Sequence, residues 1–207
     1  MKNKTVILAN GEFPTHGIPL QILNNANQII CCDGATNNLL NYGLKPDLII
    51  GDLDSVSREI KNEYSHILIH DTDQNTNDLT KAVNWCIKQH ITEIVILGAT
   101  GKREDHSIGN ISLISNYIES IQVTMFTNYG ILSPIIESTT FNSYKGQQVS
   151  IFSLTPNTPI SSINLKYPLD KYNLDSWWKG TLNESLDSEF SLNFENGKLI
   201  VFQEYLK

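Results

Sequence analysis

The segment most informative about the fold is Pro46-Asp47-Leu48-Ile49-Ile50-Gly51-Asp52-Leu53-Asp54-Ser55. Its apolar run predicts a buried strand, and two carboxylates follow the glycine that ends this run. Asp52 and Asp54 then lie just past a strand's carboxyl end, where open α/β sheets bind their ligands. Two such close carboxylates repel each other unless both are well solvated or a cation lies between them. Mg²⁺ suits this pair, since it usually takes one or two carboxylates and leaves its other positions to water and phosphate.

The first part of the chain alternates short apolar runs with helical patterns. This alternation predicts an α/β fold with a mostly parallel sheet and flanking helices. Strands are expected at 5–9, 28–32, 48–50, 67–69, 94–97 and 123–126. They are rich in β-branched residues and are predicted to be buried on both faces of the sheet. Helices are expected at 36–42, 57–64, 77–89 and 106–118. Asn77 is predicted to be the N-cap of the third helix.

After about residue 130 the texture changes, because Thr, Ser, Asn and Pro become dense and helical periodicity fades. Short strands are predicted at 141–144, 148–154, 189–194 and 199–202. Asn196-Gly197 is a strong signal for a two-residue hairpin between the last two. We therefore expect an α/β domain over 1–132 and a small all-β domain over 133–207.

Composition limits the classes of function. The 207 residues suffice for one large or two small domains, and 40% hydrophobic with 18% charged residues is typical of a folded globular protein. A formal net charge of -7 argues against a broad nucleic-acid surface. No apolar run has the length of a signal peptide or a bilayer span, so we expect a cytoplasmic protein without membrane partners. The three cysteines show no disulfide or zinc spacing and are expected to be reduced and buried.

Four polar clusters fall where predicted strands end and helices begin. The first is Asp33-Gly34-Ala35, for which a helix-capping aspartate is as good an interpretation as a binding site. The second is the Asp52 and Asp54 pair, where capping accounts for one carboxylate but less easily for both. The third, residues 71–81, is either an acidic loop that caps a helix or a site. In it Asp78 and Lys81 share a helix face and can hold a metal and a phosphate side by side.

The fourth cluster runs from Gly98 to His106 and reaches Asn110. Glycines at a strand–helix junction let backbone N–H groups approach phosphates, and Arg103 offers a bidentate contact. The loop is not a Walker A motif, because Gly-Lys-Ser/Thr is absent. His106 by itself is more typical of capping or packing than of catalysis. In a parallel sheet these four junctions share one edge, and convergent carboxylates with Arg and Lys fit a Mg²⁺–polyphosphate site.

The four clusters, in this order, resemble those of the thiamine pyrophosphokinase family. Further on, Leu165-Lys166-Tyr167-Pro168-Leu169 and Asn183-Glu184 resemble two segments of its C-terminal half. The resemblance implies transfer of a pyrophosphoryl group from ATP to the hydroxyethyl oxygen of thiamine, giving thiamine diphosphate and AMP. It also implies an ATP-binding catalytic domain at 1–132, a thiamine-binding and dimerisation β-sandwich at 133–207, and a homodimer with thiamine at the subunit interface.

The resemblance assigns roles to individual residues. Those implied in metal binding are Asp52, Asp54 and Asp78, and these with Lys81 and Arg103 form the catalytic group. Those implied in ATP binding are Asp33, Gly34, Ala35, Ser55, Gly98, Thr100, Gly101, Arg103, Asp105, His106 and Asn110. Those implied in thiamine binding are Gln74, Tyr167 and Asn183. The ring of Tyr167 is expected to stack on thiamine from the partner subunit, although a packed core aromatic is the alternative.

Two departures from the family pattern lie in the thiamine-binding half. Asn164 replaces the glycine before Leu-Lys-Tyr, and Leu182 replaces the serine before Asn-Glu. The acceptor is therefore thiamine or a related aminopyrimidine alcohol. A metal-dependent nucleotide phosphoesterase is a competing hypothesis suggested by Asp105-His106, although the other clusters lack the histidines such enzymes use. A non-catalytic nucleotide or thiamine sensor is a third. Trp177-Trp178 has no role that the family suggests, and core or interface packing is the default.

Overall fold

The computed structural model describes residues 4–206. The prediction that no signal peptide begins at the N-terminus concerns in part residues 1–3, which lie outside this range. The chain divides into two compact units, of which one ends at Asn128 and the other begins at Tyr129. The boundary thus precedes the predicted position between 132 and 133 by four residues. No helix among the described residues combines the length and apolarity needed to cross a bilayer.

The first unit is built on a parallel sheet. Its strands are β1 (Thr5–Leu8), β2 (Gln28–Cys32), β3 (Leu48–Gly51), β4 (Leu68–His70), β5 (Glu93–Leu97) and β6 (Gln122–Phe126). Their order is β6-β5-β1-β2-β3-β4, and every neighbouring pair is parallel. Successive strands therefore move away from β1 on one side until β4, and the chain then returns to the other side with β5. The point where this direction reverses, between β1 and β5, is where such sheets bind ligands.

Helices connect these strands. They are α1 (Gly17–Asn24), α2 (Ala35–Tyr42), α3 (Arg58–Glu63), α4 (Asp78–Lys88) and α5 (Glu104–Tyr117). Asn77 caps α4 as predicted, because its side chain accepts a hydrogen bond from the Thr80 N–H at 2.9 Å. Helix α1 was not predicted. Its N-cap is His16, whose Nδ1 accepts from the Ile18 N–H, and the usual Ser, Thr, Asp or Asn signal is missing there.

Burial of the strands explains why their sequences read as continuous apolar runs. Ile7, Ile30, Ile49 and Ile96 are all fully buried at the centre of β1, β2, β3 and β5. Parallel strands covered by helices need apolar side chains on both faces. The predicted α/β class with a mostly parallel sheet is therefore confirmed, with strand bounds within one or two residues of those expected.

The second unit is a β-sandwich. Its strands are β7 (Gly130–Ile135), β8 (Thr139–Asn142), β9 (Gln148–Ser153), β10 (Pro159–Ile163), β11 (Tyr172–Asn173), β12 (Asn183–Glu184), β13 (Glu189–Asn193) and β14 (Leu199–Glu204). One sheet has the order β12-β9-β14-β7 and the other β11-β10-β13-β8. Side chains from both sheets, including Ile151 and Val201 from the first and Phe190 from the second, form one buried core. The expected β-rich C-terminal half is confirmed.

The predicted hairpin at Asn196-Gly197 is wrong. Strand β13 pairs with β8 and β10, whereas β14 pairs with β7 and β9, so the segment between them crosses from one sheet to the other. A two-residue type I′ hairpin needs positive φ at both central residues, and here only Asn196 has one (φ 54°). The Thr158 hydroxyl donates to the Asn196 carbonyl at 3.0 Å and holds this crossing segment in place.

Candidate functional site

A cavity of about 480 Å³ lies at the carboxyl edge of the first unit's sheet. Asn10 and Gly11 follow β1 there, and Ala99 and Thr100 follow β5, so the cavity opens at the switch point. The predicted site residues that line it are Asp33, Asp52, Asp54, Ser55, Asp78, Thr100, Arg103, His106 and Asn110. The structure therefore brings together residues from all four polar clusters.

Three carboxylates form the acidic part of this cavity. One oxygen each of Asp33, Asp52 and Asp54 lies within 4.8 Å of the others. Asp33 is buried, its Oδ2 accepts from the Ser55 N–H at 3.1 Å, and its Oδ1 has no protein partner among the described residues. Burial raises the pKa of Asp33 to about 6. The hydrogen bond from the Ser55 N–H acts in the opposite direction and lowers this pKa, whereas the nearby Asp54 and Asp78 raise it. A buried carboxylate oxygen without a partner beside two further carboxylates fits a hard cation.

Helix capping does not explain these carboxylates. Helix α2 begins after Gly34 without a side-chain cap, and Ser57 is the residue that caps α3. Asp52 accepts from the Asp54 N–H at 3.3 Å, within its own turn. The capping alternative that the sequence left open for Asp33 and for the Asp52 and Asp54 pair is therefore not what the structure contains.

Asp78 lines the same cavity but is not part of the three-carboxylate group. Its Oδ1 accepts from Lys81 Nζ at 3.1 Å, one helical turn away. The metal set expected from the family resemblance was Asp52, Asp54 and Asp78, whereas geometry groups Asp33 with the first two. The side chains of Asp33 and Asp78 both pack against Gly51. A methyl group on this glycine would lie 2.9 Å from Asp33 Cβ and 3.0 Å from Asp78 Cγ. This close approach needs glycine at the end of β3.

Lys81 lies beneath Asp78 with its side chain almost wholly buried. Burial lowers the pKa of Lys81, but the hydrogen bond and charge of Asp78, together with the charges of Asp52 and Asp71, outweigh it, and the pKa is raised. The ammonium group therefore stays protonated and fixes the position of the Asp78 carboxylate. Lys81 acts on the cavity through Asp78, since it is not itself among the residues that line it.

The glycine-containing loop after β5 is tied to the loop after β1. The Gly11 N–H donates to the Gly98 carbonyl at 2.6 Å, and the Glu12 N–H donates to the Thr100 carbonyl at 2.7 Å. Gly98 and Gly101 have φ angles of 65° and 92°, in the left-handed region that residues other than glycine rarely adopt. The loop thus keeps its shape for a ligand that approaches the start of α5.

Arg103 and Asp105 face each other at the mouth of the cavity. The guanidinium donates to both carboxylate oxygens, and Asp105 also accepts from the His106 N–H at 2.9 Å. The hydrogen bond from Arg103 lowers the pKa of Asp105 to about 2. Both side chains are mostly exposed, so this ion pair contributes little to stability and exchanges partners easily.

Asn110 occupies the position between the two helices beside the cavity. Its Nδ2 donates to the Ala99 carbonyl at 2.8 Å, and its Oδ1 accepts from Asn77 Nδ2 at 3.1 Å. Because its hydrogen-bonding groups are largely engaged within the protein, Asn110 holds the β5–α5 loop against the start of α4. Its predicted contact with ATP stays a prediction.

Several lining residues were missed by sequence reasoning. Those outside the four predicted clusters are Ala9, Asn10, Gly11, Cys32 and Ser107, whereas Asn77, Leu79, Ala99 and Lys102 lie within the clusters but are not among the individually predicted site residues. Asn10-Gly11 directly follows the predicted strand at 5–9, so the strand-end rule that revealed the other clusters would also have revealed this one. Its lack of charge made it inconspicuous.

Some predicted residues do not line the cavity. Gly34 and Ala35 are buried behind it at the start of α2. Gln74 lies on the exposed loop between β4 and α4, whose shape comes from the Asp71 and Asp73 side chains accepting from backbone N–H groups. Its predicted contact with thiamine stays a prediction.

The second unit has its own pocket, of about 330 Å³, lined by aromatic rings. Tyr167 and Trp178 expose 61% and 73% of their surface there, and Tyr172 lies beside them. The core-aromatic alternative for Tyr167 is therefore excluded. Of the two tryptophans, Trp177 packs edge-on against Phe152, whereas Trp178 is turned to the pocket.

Asn183 lines the same pocket, but its side chain hydrogen-bonds to the backbone of Tyr167. Its Oδ1 accepts from the Tyr167 N–H at 3.0 Å, and its Nδ2 donates to the Tyr167 carbonyl at 2.8 Å. Asn183 is itself buried. It therefore fixes the loop that presents the Tyr167 ring, and its predicted thiamine contact becomes a positioning role in our interpretation.

The two departures from the family pattern both occur at left-handed backbone positions. Asn164 has φ 61° and Leu182 has φ 58°. Asparagine tolerates this conformation, so its replacement of glycine keeps the backbone. Leucine does not, and Leu182 is also 72% exposed, so no packing compensates for the strain.

The fold and the site together define an α/β protein with a ligand cavity of acidic and basic side chains at its switch point, followed by a β-sandwich with an aromatic pocket. Two family models match the chain. "Thiamin pyrophosphokinase, catalytic domain" matches residues 20–125, and "Thiamin pyrophosphokinase, substrate-binding domain" matches residues 130–202. The chain belongs to the thiamin pyrophosphokinase family, which confirms the resemblance found in the sequence.

Individual relatives agree with this assignment. The chain is 31% identical over 106 residues to thiamin pyrophosphokinase 1 of Caenorhabditis elegans, covering 47% of this chain and 43% of that relative. It is 27% identical over 185 residues to thiamine pyrophosphokinase of Bacillus subtilis, covering 83% and 84%. The matches span 43% to 55% of the first curated relatives. A solved thiamin pyrophosphokinase family protein of Enterococcus faecalis has the same fold, with a TM-score of 0.82, 21% identity and coverage of 99% and 100%.

Proposed function

We propose that this protein transfers the pyrophosphoryl group of ATP to the hydroxyethyl oxygen of thiamine, giving thiamine diphosphate and AMP. The observation that carries the proposal is the group of Asp33, Asp52 and Asp54 in one cavity with the loop that follows β5. Carboxylates for a cation beside backbone and guanidinium donors suit a polyphosphate, because phosphoryl transfer is catalysed mainly by positioning and charge neutralisation. Family membership supports ATP and thiamine as the substrates.

We propose Mg²⁺ as the cofactor, held by Asp52 and Asp54 with Asp33 as a third candidate ligand. The buried, unpartnered Oδ1 of Asp33 supports this set. Asp78, which the family resemblance also implied as a ligand, stays a second candidate. When bound, Mg²⁺ withdraws charge from the phosphate oxygens and so lowers their repulsion of an incoming nucleophile.

The protein's own side chains have distinct tasks in this proposal. Arg103 exchanges its exposed partner Asp105 for a phosphate oxygen and stabilises the charge that builds on the leaving AMP. Lys81 holds the Asp78 carboxylate in place through their ion pair. The hydrogen bond from the Ser55 hydroxyl lowers the pKa of Asp54. Asp54 and Asp78 both line the cavity, and each is a candidate to accept the proton of the thiamine hydroxyl.

Thiamine is proposed to bind in the second unit, with its cationic ring system on the exposed face of Tyr167. An aromatic ring attracts a flat organic cation more than it attracts a neutral molecule.

A homodimer and a cytoplasmic location are part of the same proposal. The exposed Tyr167, Trp178 and Leu182 support the dimer, because large apolar side chains that are exposed in one chain favour coverage by a partner. Light scattering measures the assembly.

The decisive experiment is to incubate the protein with ATP, Mg²⁺ and thiamine and to separate the products. We expect AMP and thiamine diphosphate in equal amounts, with no reaction when EDTA removes the metal. Release of ADP, or nucleotide breakdown at the same rate without thiamine, would contradict the proposal and favour the phosphoesterase hypothesis. A panel of related aminopyrimidine alcohols then measures selectivity for the acceptor.

A further inference from the structure

Lys102 lies in the loop after β5 and lines the cavity, yet none of the motifs assigned it a role. Its Nζ donates to Asn10 Oδ1 at 3.2 Å, across to the loop after β1. The residue before it, Gly101, has φ 92°, and the Gly101 N–H donates to the Ser107 hydroxyl at 3.3 Å. The Ser107 hydroxyl also donates to the Arg103 carbonyl at 2.9 Å, so the backbone is held on both sides of Lys102.

The charge of Lys102 differs from that of its neighbours. Arg103 is paired with Asp105, and Lys81 is paired with Asp78. Across residues 4–206, Lys102 takes part in no ion pair, and its partner Asn10 is a neutral amide. Of the two cationic side chains that line the cavity, Arg103 thus has an ion-pair partner and Lys102 has none among the described residues.

Asn10 connects three strand-end loops. It follows β1, it accepts from Lys102 after β5, and its Nδ2 packs against Gly34 after β2. A methyl group on Gly34 would lie 2.5 Å from this Nδ2, so the amide sits there only because residue 34 is glycine. The packing limits where Asn10 Oδ1 can point, and this directs the lysine over the cavity.

We propose that Lys102, oriented by Asn10, binds the polyphosphate chain of ATP directly and is a phosphate-binding residue of this site. The inference deepens the proposed function and rests on it for the identity of the nucleotide. An ammonium group with no carboxylate partner gains more from a polyphosphate than one that must first give up an ion pair. The neutral Asn10 fixes the direction of the side chain without neutralising its charge.

The experiment measures binding of α,β-methylene-ATP with Mg²⁺, because this analogue keeps the three phosphates and resists cleavage between the first two. We expect Lys102→Gln to raise its Kd about ten-fold, and Lys102→Arg to raise it less than three-fold. Adenosine, which lacks phosphate, should bind to the wild type and to Lys102→Gln equally. Lys45→Gln is the matched control, since Lys45 is an exposed lysine ahead of β3 at the opposite edge of the sheet; it should leave both constants unchanged.

Asn10 is tested through its coupling to Lys102. Asn10→Ala should raise the Kd of the analogue about three-fold in the wild type and have no further effect in the Lys102→Gln background. Additive effects of the two changes would overturn the positioning role. An unchanged Kd in Lys102→Gln, or an equal loss for adenosine, would overturn the phosphate contact.

Failure of this inference is distinguishable from failure of the proposed function. If the wild type makes thiamine diphosphate while Lys102→Gln keeps the KM for ATP and kcat, the lysine has no phosphate role and the function stands. If the wild type binds the analogue through Lys102 but forms no thiamine diphosphate, the phosphate contact stands and the acceptor assignment is wrong.

Discussion

The cavity of the first unit and the pocket of the second are built in different ways. The cavity takes its side chains from loops that directly follow parallel strands, so the sheet itself places Asp33, Asp52 and Thr100 at one edge. The pocket presents Tyr167 on a loop, where a buried amide holds the backbone, and Trp178 on a short 3-10 helix (Trp177–Gly180). Backbone topology makes the first site robust, whereas the second depends on individual hydrogen bonds.

The largest effect is expected from removing one charge in the cavity. Asp52→Asn keeps the shape of the side chain but loses a carboxylate of the acidic group, so kcat should fall about 1,000-fold. The melting temperature should change by less than about 3 °C, because Asp52 makes only a local hydrogen bond. Product formation and thermal unfolding are the two measurements.

Glu195→Gln serves as the control for Asp52→Asn, since Glu195 is an exposed acid of the second unit. It should leave kcat unchanged. If Asp52→Asn kept more than a tenth of wild-type turnover, the acidic group would not be the metal-binding part of the site.

The rigidity of the first unit is testable through its thiols, because Cys31, Cys32 and Cys86 all lie there and all are buried. Burial raises the pKa of Cys31 and of Cys86 to about 12, and burial also raises the pKa of Cys32. A raised pKa keeps a thiol protonated, and the thiolate is the reactive form. At pH 8 the native protein should therefore react with a disulfide reagent about 100-fold more slowly than the unfolded protein.

The same shifts predict a pH dependence of stability. Because each native pKa lies above its unfolded value near 9, the unfolded state releases protons first as pH rises. The thiol contribution to stability is complete below about pH 9 and is lost between pH 9 and 12. Urea unfolding at pH 8 and at pH 10 measures this loss of stability. In the labelling experiment at pH 8, fast reaction of a thiol in the native protein would contradict the prediction and show that the first unit opens readily.

The aromatic pocket should respond more weakly and only toward one substrate. Tyr167→Ala should raise the KM for thiamine about ten-fold, while Tyr167→Phe keeps the ring and stays within about two-fold of the wild type. The KM for ATP should not change in either variant. Steady-state kinetics with each substrate varied in turn measure both KM values. If Tyr167→Ala instead raised the KM for ATP and left the KM for thiamine unchanged, the pocket would bind a ligand other than thiamine.

The smallest effect is expected at Leu182. Replacing it by Asn should stabilise the protein by about 1 kcal/mol, because Asn tolerates φ 58° and the leucine side chain is 72% exposed. Leu182→Ala is the comparison, since alanine keeps the strain and should leave stability nearly unchanged. Urea unfolding measures both; equal stability of all three proteins would mean that the left-handed backbone costs nothing here.

Sequence reasoning succeeded where local pattern and chemistry agree. The buried strands of the first unit have apolar runs on both faces, and the Asn77 cap has a standard capping side chain. It failed where tertiary contacts replace the local signal. His16 caps α1 without a typical capping residue, and Asn196-Gly197 leads from one sheet to the other although its sequence is typical of a hairpin.

The α/β class, the β-rich second half, the family and the polar clusters could be predicted from the amino-acid sequence alone, because these depend on periodicity and on residue types next to strand ends. Which residues are neighbours depends on the tertiary structure. It grouped Asp33 with Asp52 and Asp54, directed Asn183 to the backbone of Tyr167, and placed Lys102 against Asn10. Such pairs are far apart along the chain, and only packing of the sheet and the loops sets the distance between them.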